Sequence, residues 1–177
     1  MKKIAITILL LSAVCNAQDK LLGILPLKND KVNYNKVVEV KNVTQEGLSL
    51  RAEHWLLSSN HYKENISQPN NHIEELLGKG SINALWGPND FSNFYVDIYY
   101  TLNIKIRADR YKYEINNFIV KNSDGETQIE IFKLNGKINL RNNKALYKQI
   151  DTHVNNIIIS LEKAMSTSHP ANAIVNE

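Results

Sequence analysis

The chain has 177 residues, of which 43% are hydrophobic and 22% charged, with a formal net charge of +3. That length and balance describe one globular domain and exclude a disordered or fibrous chain. Seven glycines and four prolines exclude collagen-like and Pro/Gly-rich sequences, and the single cysteine excludes an internal disulfide and a multi-cysteine zinc site.

Residues Met1 to Ala17 read as a secretory leader. Lys2 and Lys3 form a positive start, Ile4 to Val14 an apolar run broken only by Thr7 and Ser12, and Ala17 a small residue before Gln18. The run falls short of the roughly 20 apolar residues of a spanning helix. Cleavage after Ala17 fits better than lipidation at Cys15, because Ser12-Ala13-Val14 lacks the leucine and the small final residue of a lipoprotein signal. An exported mature chain from Gln18 then holds no thiol. Without Lys2 and Lys3 it carries 19 basic against 18 acidic residues, a net charge of +1. That is too little to hold a phosphate backbone, so nucleic acid is excluded as a partner.

Gln18 to Asp30, apolar but broken by Gly23 and Pro26, predicts an extended lead-in. Val32, Tyr34, Val38 and Val40 at even positions predict a strand. Thr44 is a candidate N-cap, with Glu46 in the first turn, for an amphipathic helix through Leu48, Ala52, Trp55 and Leu56 to about Asn60. His61 to Asn71 reads as a loop. Ile73 to Leu85 alternates weakly around Gly78 and Gly80, which predicts a bulged or distorted strand, and Trp86 to Asp90 a turn.

The most regular pattern follows. Phe94, Val96, Ile98, Tyr100, Leu102, Ile104 and Ile106 alternate without a break with Tyr95, Asp97, Tyr99, Thr101, Asn103, Lys105 and Arg107, which predicts a long strand with one packed and one wet face. After a turn at Ala108-Asp109, Tyr111, Tyr113 and Ile115 continue the alternation, which then slips by one to Phe118 and Val120. A bulge at Asn116-Asn117 would absorb that slip. Ser123-Asp124-Gly125 predicts a turn into a short strand over Gln128 to Leu134, ended by Asn135-Gly136. Leu146, Ile150, Val154, Ile157, Leu161 and Met165 then make one helical stripe, with Asn142 or Asn143 as its cap. Residues 166–177 read as a flexible tail, leaving a single domain over 18–165. Strands with one apolar face each and two helices predict α+β architecture: an antiparallel sheet with both helices packed on one side.

Several of these segments resemble a known family. They are Leu25-Pro26-Leu27-Lys28 and Val37-Val38-Glu39-Val40, then Arg51-Ala52-Glu53-His54-Trp55-Leu56 and Gly78-Lys79-Gly80, and finally Tyr100-Thr101-Leu102 with Arg110-Tyr111-Lys112-Tyr113. The family consists of secreted Bacteroidetes domains of unknown function. The likeness covers roughly residues 25 to 120, and the final helix agrees with it. It implies a fold like that of the TATA-binding protein, with the order β-α-β-β-β-β-α, and it implies no activity, cofactor or site.

The chemistry-bearing residues form no recognisable set. His54 and His61 are seven apart but have no carboxylate at ligand spacing, so no metal site is expected. Glu74 and Glu75, adjacent on a strand, face opposite ways and cannot act as an acid and base pair. No serine sits in a nucleophile elbow, and Gly78-Lys79-Gly80-Ser81 is too short for a phosphate loop. No catalytic residue and no cofactor is therefore expected. What remains is the wet face of the long strand, with Tyr95, Tyr99, Asn103, Lys105 and Arg107 as candidate binding residues, since Tyr and Arg are enriched in interfaces. The reading is a non-enzymatic cell-envelope binding module, its partner a protein, a peptide or a small ligand. The competing readings are a hydrolase-type enzyme assembled from scattered residues and a subunit that associates with itself.

Overall fold

A computed structural model of the chain describes residues 20–59, 75–87, 94–122, 125–131 and 137–167. The leader, the 61–71 loop, most of the 86–90 turn, Ser123-Asp124, Asn135-Gly136 and nearly all of the tail lie outside the described residues, as do Glu74 and His61.

The lead-in folds back on itself. Strand β1 (Lys20–Leu21) pairs with β2 (Leu25–Lys28), which pairs with β3 (Lys31–Val32). Asn29 and Asp30 both have positive φ, 52° and 59°, the backbone that a tight hairpin of this hand demands and that Asn and Asp tolerate. Strand β4 (Tyr34–Glu39) leads to helix α1 (Gln45–Ser58), with Thr44 as N-cap: its Oγ1 accepts from the Gly47 N–H at 3.1 Å. Three strands follow, β5 (Glu75–Trp86), β6 (Phe94–Arg107) and β7 (Arg110–Asn122), and then the short β8 (Gly125–Gln128). A 3-10 turn at Ile129–Ile131 precedes helix α2 (Lys137–Ser166).

The main sheet runs β4-β7-β6-β5, antiparallel throughout, with β8 also paired to β7. Every even-numbered residue of β6 from Val96 to Ile106 is buried, beside Leu76, Ile82 and Ala84 of β5 and Tyr111, Tyr113, Ile115, Phe118 and Val120 of β7. The stripe Leu146, Ile150, Val154, Ile157, Leu161 and Met165 of α2 and the Leu48, Ala52, Trp55 and Leu56 face of α1 cover them. Each Leu or Ile so buried contributes about 1.5–3 kcal/mol. The bulge falls at the expected place. Register shifts between Tyr99 and Thr101 where β7 spends the extra residue, and Asn117 takes φ 55°, which lets Ile115 and Phe118 both face the core.

Three expectations need correction. Strand β5 carries no bulge: it alternates from Glu75 to Leu85 without interruption, and Gly80 is needed for space, since a Cβ there would overlap the Tyr100 ring and hydroxyl packed across from it. The strand after Gly125 begins at once rather than at Gln128, and 129–131 turn instead of extending. Helix α2 starts at Lys137, so Asn142 and Asn143 are not caps. Asn143 is a buried helix-interior residue whose Oδ1 accepts from Trp86 Nε1 at 2.9 Å, which is why a polar side chain occupies the stripe.

Burial sets the tyrosine chemistry. It raises the hydroxyls of Tyr34 and Tyr111 well above the ordinary phenol range, Tyr34 helped by its 2.8 Å bond to Asp151 Oδ1 and Tyr111 by the charge of Glu162. It pushes Tyr113 and Tyr147 up to about 12, with smaller contributions from Glu162 and Glu130 respectively. The folded state accepts only the neutral phenol, so this stability is complete below the unfolded value of 10.0 and is lost as pH climbs through about 12. The loss is about 1.4 kcal/mol per pH unit for each group. Urea midpoints should therefore fall steeply above pH 10, and Tyr147→Phe should make that fall shallower. An unchanged slope would remove Tyr147 from the account. For Gly80, Gly80→Ala should cost about 1–3 kcal/mol by overpacking. In a double-mutant cycle with Tyr100→Leu the combined cost should be clearly less than the sum; strict additivity would mean that the ring is not the obstacle.

Candidate functional site

With both helices on one side, the odd-numbered side chains of β5 and β6 form an open face. The strand register fixes who meets whom: Leu85 stands opposite Tyr95, Ser81 opposite Tyr99, Leu77 opposite Asn103 and Glu75 opposite Lys105. On the other flank Tyr99 faces Ile119, Asn103 faces Glu114 and Lys105 faces Lys112.

The five residues singled out from the sequence all lie on this face, yet they do not form one site. Tyr95 and Arg107 are twelve residues apart on an extended strand, about 40 Å at roughly 3.3 Å per residue. At the β6 entry, Tyr95 is 69% exposed and Tyr99 43% exposed. Beside them the 38% exposed Leu85 completes an aromatic and aliphatic patch. Lys121 Nζ sits 6.0 Å from the Tyr99 ring centroid and also pairs with Glu126 at 3.4 Å.

In the middle, Asn103 and Lys105 are occupied by the sheet itself. Asn103 Nδ2 donates to Glu75 Oε1, and Lys105 Nζ lies 3.6 Å from the same oxygen. Neighbouring polar groups are matched in the same way: Asn83 Nδ2 donates to Asp97 at 2.8 Å, and Lys112 lies 3.4 Å from Glu114. Glu114 is held below the usual carboxylate range first by the bond from Asn33 Nδ2 at 2.6 Å, and then by the Lys112 charge, against the opposing effect of partial burial. Exposed pairs of this kind contribute little stability, about 0–1 kcal/mol each. Their effect here is to match Glu75 and Glu114 to cations of the same face.

At the far end, Arg107 lines a hollow of about 520 Å³ with Glu39, Lys41, Asn42, Asp109 and Arg110. Asp109 and Asn42 both take left-handed backbone, and Asp109 ties the β6–β7 turn to the loop before α1 by bonding both the N–H and the carbonyl of Val43. A second hollow, about 270 Å³, lies between the helices and is lined by Arg51, His54, Trp55 and Ser160 among others. Its polar groups serve the fold: Arg51 Nη1 donates to the Met165 carbonyl at 2.7 Å and Trp55 Nε1 to Ser160 Oγ at 3.0 Å.

Sequence reasoning missed Leu85, Leu77, Val37 and Arg110 as members or neighbours of the face. Their placement depends on cross-strand register, of which the only local trace is the odd-even alternation that the Gly78 and Gly80 positions obscure.

The described order β4-α1-β5-β6-β7-β8-α2 is the arrangement that the family resemblance implied. None of the curated proteins matches the chain. Among solved structures, it is similar to a TBP-like protein from Parabacteroides distasonis, with a TM-score of 0.61 at 17% identity, covering 82% of this chain and 99% of that one. It is also similar to a DUF4468 family protein from Bacteroides ovatus, with a TM-score of 0.61 at 12% identity, covering 83% and 93%. At these identities the likeness is one of fold. Residues 34–121 match the model of the domain of unknown function (DUF4468) with TBP-like fold, so the stretch from β4 to β7 that builds the open face belongs to that family.

Proposed function

We propose that the chain is a non-enzymatic, exported cell-envelope module that binds a protein partner through the Tyr95/Tyr99 end of its open sheet face. The observation that supports this reading is the exposure of Tyr95, Tyr99 and Leu85 side by side on a face where Glu75 is matched to Lys105 and Lys112 to Glu114. Large amphipathic side chains with few rotatable bonds are what a protein interface uses as anchors. The patch is exposed, and the two hollows described lie elsewhere, at the β6–β7 turn and between the helices, so a flat protein surface suits it better than an enclosed small ligand.

If these tyrosines serve binding rather than folding, Tyr95→Thr and Tyr99→Thr should each change the unfolding free energy by less than about 1 kcal/mol, because Thr keeps strand preference and neither ring is buried. Chemical denaturation checks this. For the binding itself, a photoreactive phenylalanine at position 95, in the chain expressed with its own leader in a Bacteroides host, should give one discrete adduct on irradiation. The same residue at exposed position 148 on α2 should give none, and Tyr99→Thr should abolish the adduct from position 95. Equal labelling from both positions, or none from position 95, would overturn the assignment.

A further inference from the structure

Strand β5 is an edge of the main sheet, and the structure shows how that edge behaves when an amide reaches it. The side chain of Gln149, on α2, wraps round the edge at Leu85. Its Oε1 accepts from the Leu85 N–H at 3.1 Å and its Nε2 donates to the Leu85 carbonyl at 2.9 Å, the two bonds a neighbouring strand's peptide would make. In an antiparallel ladder both backbone groups of a residue point to the same side and alternate residues share that side. Leu85 therefore identifies the outward set: Glu75, Leu77, Lys79, Ser81 and Asn83 also direct N–H and C=O away from β6. Among the described residues nothing but Gln149 meets this row.

The two edges of the sheet are unlike. Strand β4 has six residues and carries Lys36, held to Glu162 at 2.9 Å, and Glu39. Strand β5 has twelve residues, no proline and no bulge, and two charges, Glu75 and Lys79. Exposed strand edges are normally blunted by shortness, charge, proline or a bulge, and β5 lacks most of these devices. Its two charges are also unequally used. Asn103 and Lys105 both engage Oε1 of Glu75, which leaves Oε2 for another cation, and among the described residues Lys79 makes no ion pair.

We infer that β5 pairs with β5 of a second copy of the chain, antiparallel about a two-fold axis through Leu77. Three features select this register. It sets Glu75 against Lys79 of the partner copy and Lys79 against its Glu75, giving two charge pairs on the open face. It sets Leu77 against its own counterpart between them, as a self-complementary two-fold interface requires. And it keeps the paired length clear of Leu85, which Gln149 already covers. Moving the axis to Lys79 would oppose like charges. The product is a continuous sheet, β4-β7-β6-β5 running into β5-β6-β7-β4, with all helices on one side and the two Tyr95/Tyr99 patches on the other. This inference stands on the edge alone and is independent of what binds the open face.

Sedimentation velocity on the purified, host-processed chain across roughly 5–500 μM tests it. The expected result is a concentration-dependent dimer. Lys79→Glu alone and Glu75→Lys alone should each weaken dimerisation at least tenfold, because each homodimer then opposes like charges. An equimolar mixture of the two variants should restore a dimer, because both cross-copy pairs become Glu with Lys again. A third variant, Leu77→Pro, removes an outward N–H while sparing the bonds to β6, and should give a folded monomer by circular dichroism. A wild-type chain that stays monomeric over the whole range, charge variants that dimerise like the wild type, or a mixture no more associated than its components would each overturn the inference, and a folded Leu77→Pro dimer would do the same if the charge variants fail to fold.

Discussion

The burial of the even-numbered side chains of β6 beneath α1 and α2 is the constraint from which the rest of the molecule follows. Val96 to Ile106 supply one unbroken apolar row, and a row of that kind in a central strand must be covered over its whole length. The stripe of α2 from Leu146 to Met165 joins this core beside β5 and α1, while α1 packs on β6. Since both helices are spent on that side, the opposite side of the sheet stays in water and its residues are free to be chosen for something other than packing. The same constraint explains the Asn117 bulge. Without the extra residue, Phe118 and Val120 would leave the covered face and the core would lose two large side chains at its edge.

Apolar contact alone does not fix how the helices lie on the sheet, because a greasy stripe can slide. A set of polar bonds at the helix surfaces supplies the registration: Tyr34 to Asp151, Trp86 to Asn143, Trp55 to Ser160, and Arg51 to the Met165 carbonyl. Together they tie α2 to β4, to β5 and, twice, to α1. Leaving such a group buried without its partner costs about 1–3 kcal/mol. Alternative helix positions are therefore penalised at several points at once. The raised phenol of Tyr34 is the same effect seen chemically, since the geometry that registers the helix also forbids the phenolate.

What could be read from the sequence, and what could not, divides along the range of the interaction involved. The β6 alternation, the α2 stripe, the Thr44 cap and the slip at Asn116-Asn117 are all written in neighbouring residues, and each stands where the sequence put it. The failures involve residues whose identity answers a distant partner. Gly80 reads in sequence as a strand defect because the reason for it, the Tyr100 ring, is twenty positions away. Asn143 reads as a helix cap because its partner, Trp86, is 57 positions away. The candidate site shows the same division. That Tyr95, Tyr99, Asn103, Lys105 and Arg107 share a face follows from period two. That Asn103 and Lys105 are engaged by Glu75, while Tyr95 stands beside Leu85, follows only from the β5–β6 register.

The two open features of the fold, a bare face and a bare edge, share a cause but differ in what they offer. Covering one side of the sheet with both helices exposes the other side along its full length, and the order β4-β7-β6-β5 leaves the longer of the two outer strands unpaired among the described residues. A face offers side chains, so its specificity resides in residues such as Tyr95 and Tyr99 and changes with them. An edge offers backbone, so its affinity is nearly independent of sequence and its specificity depends on the few side chains flanking the ladder, here Glu75 and Lys79. Gln149 makes the difference concrete: one side-chain amide suffices to occupy Leu85, and no comparable group among the described residues occupies Leu77 or Lys79. Strand β4 blunts its edge by shortness and by Lys36, whereas β5 keeps twelve residues with neither a proline nor a bulge. The retention of a flat, weakly charged β5 edge next to an aromatic face is easier to understand if both surfaces are used, the edge to join two sheets and the joined sheet to present its two patches together.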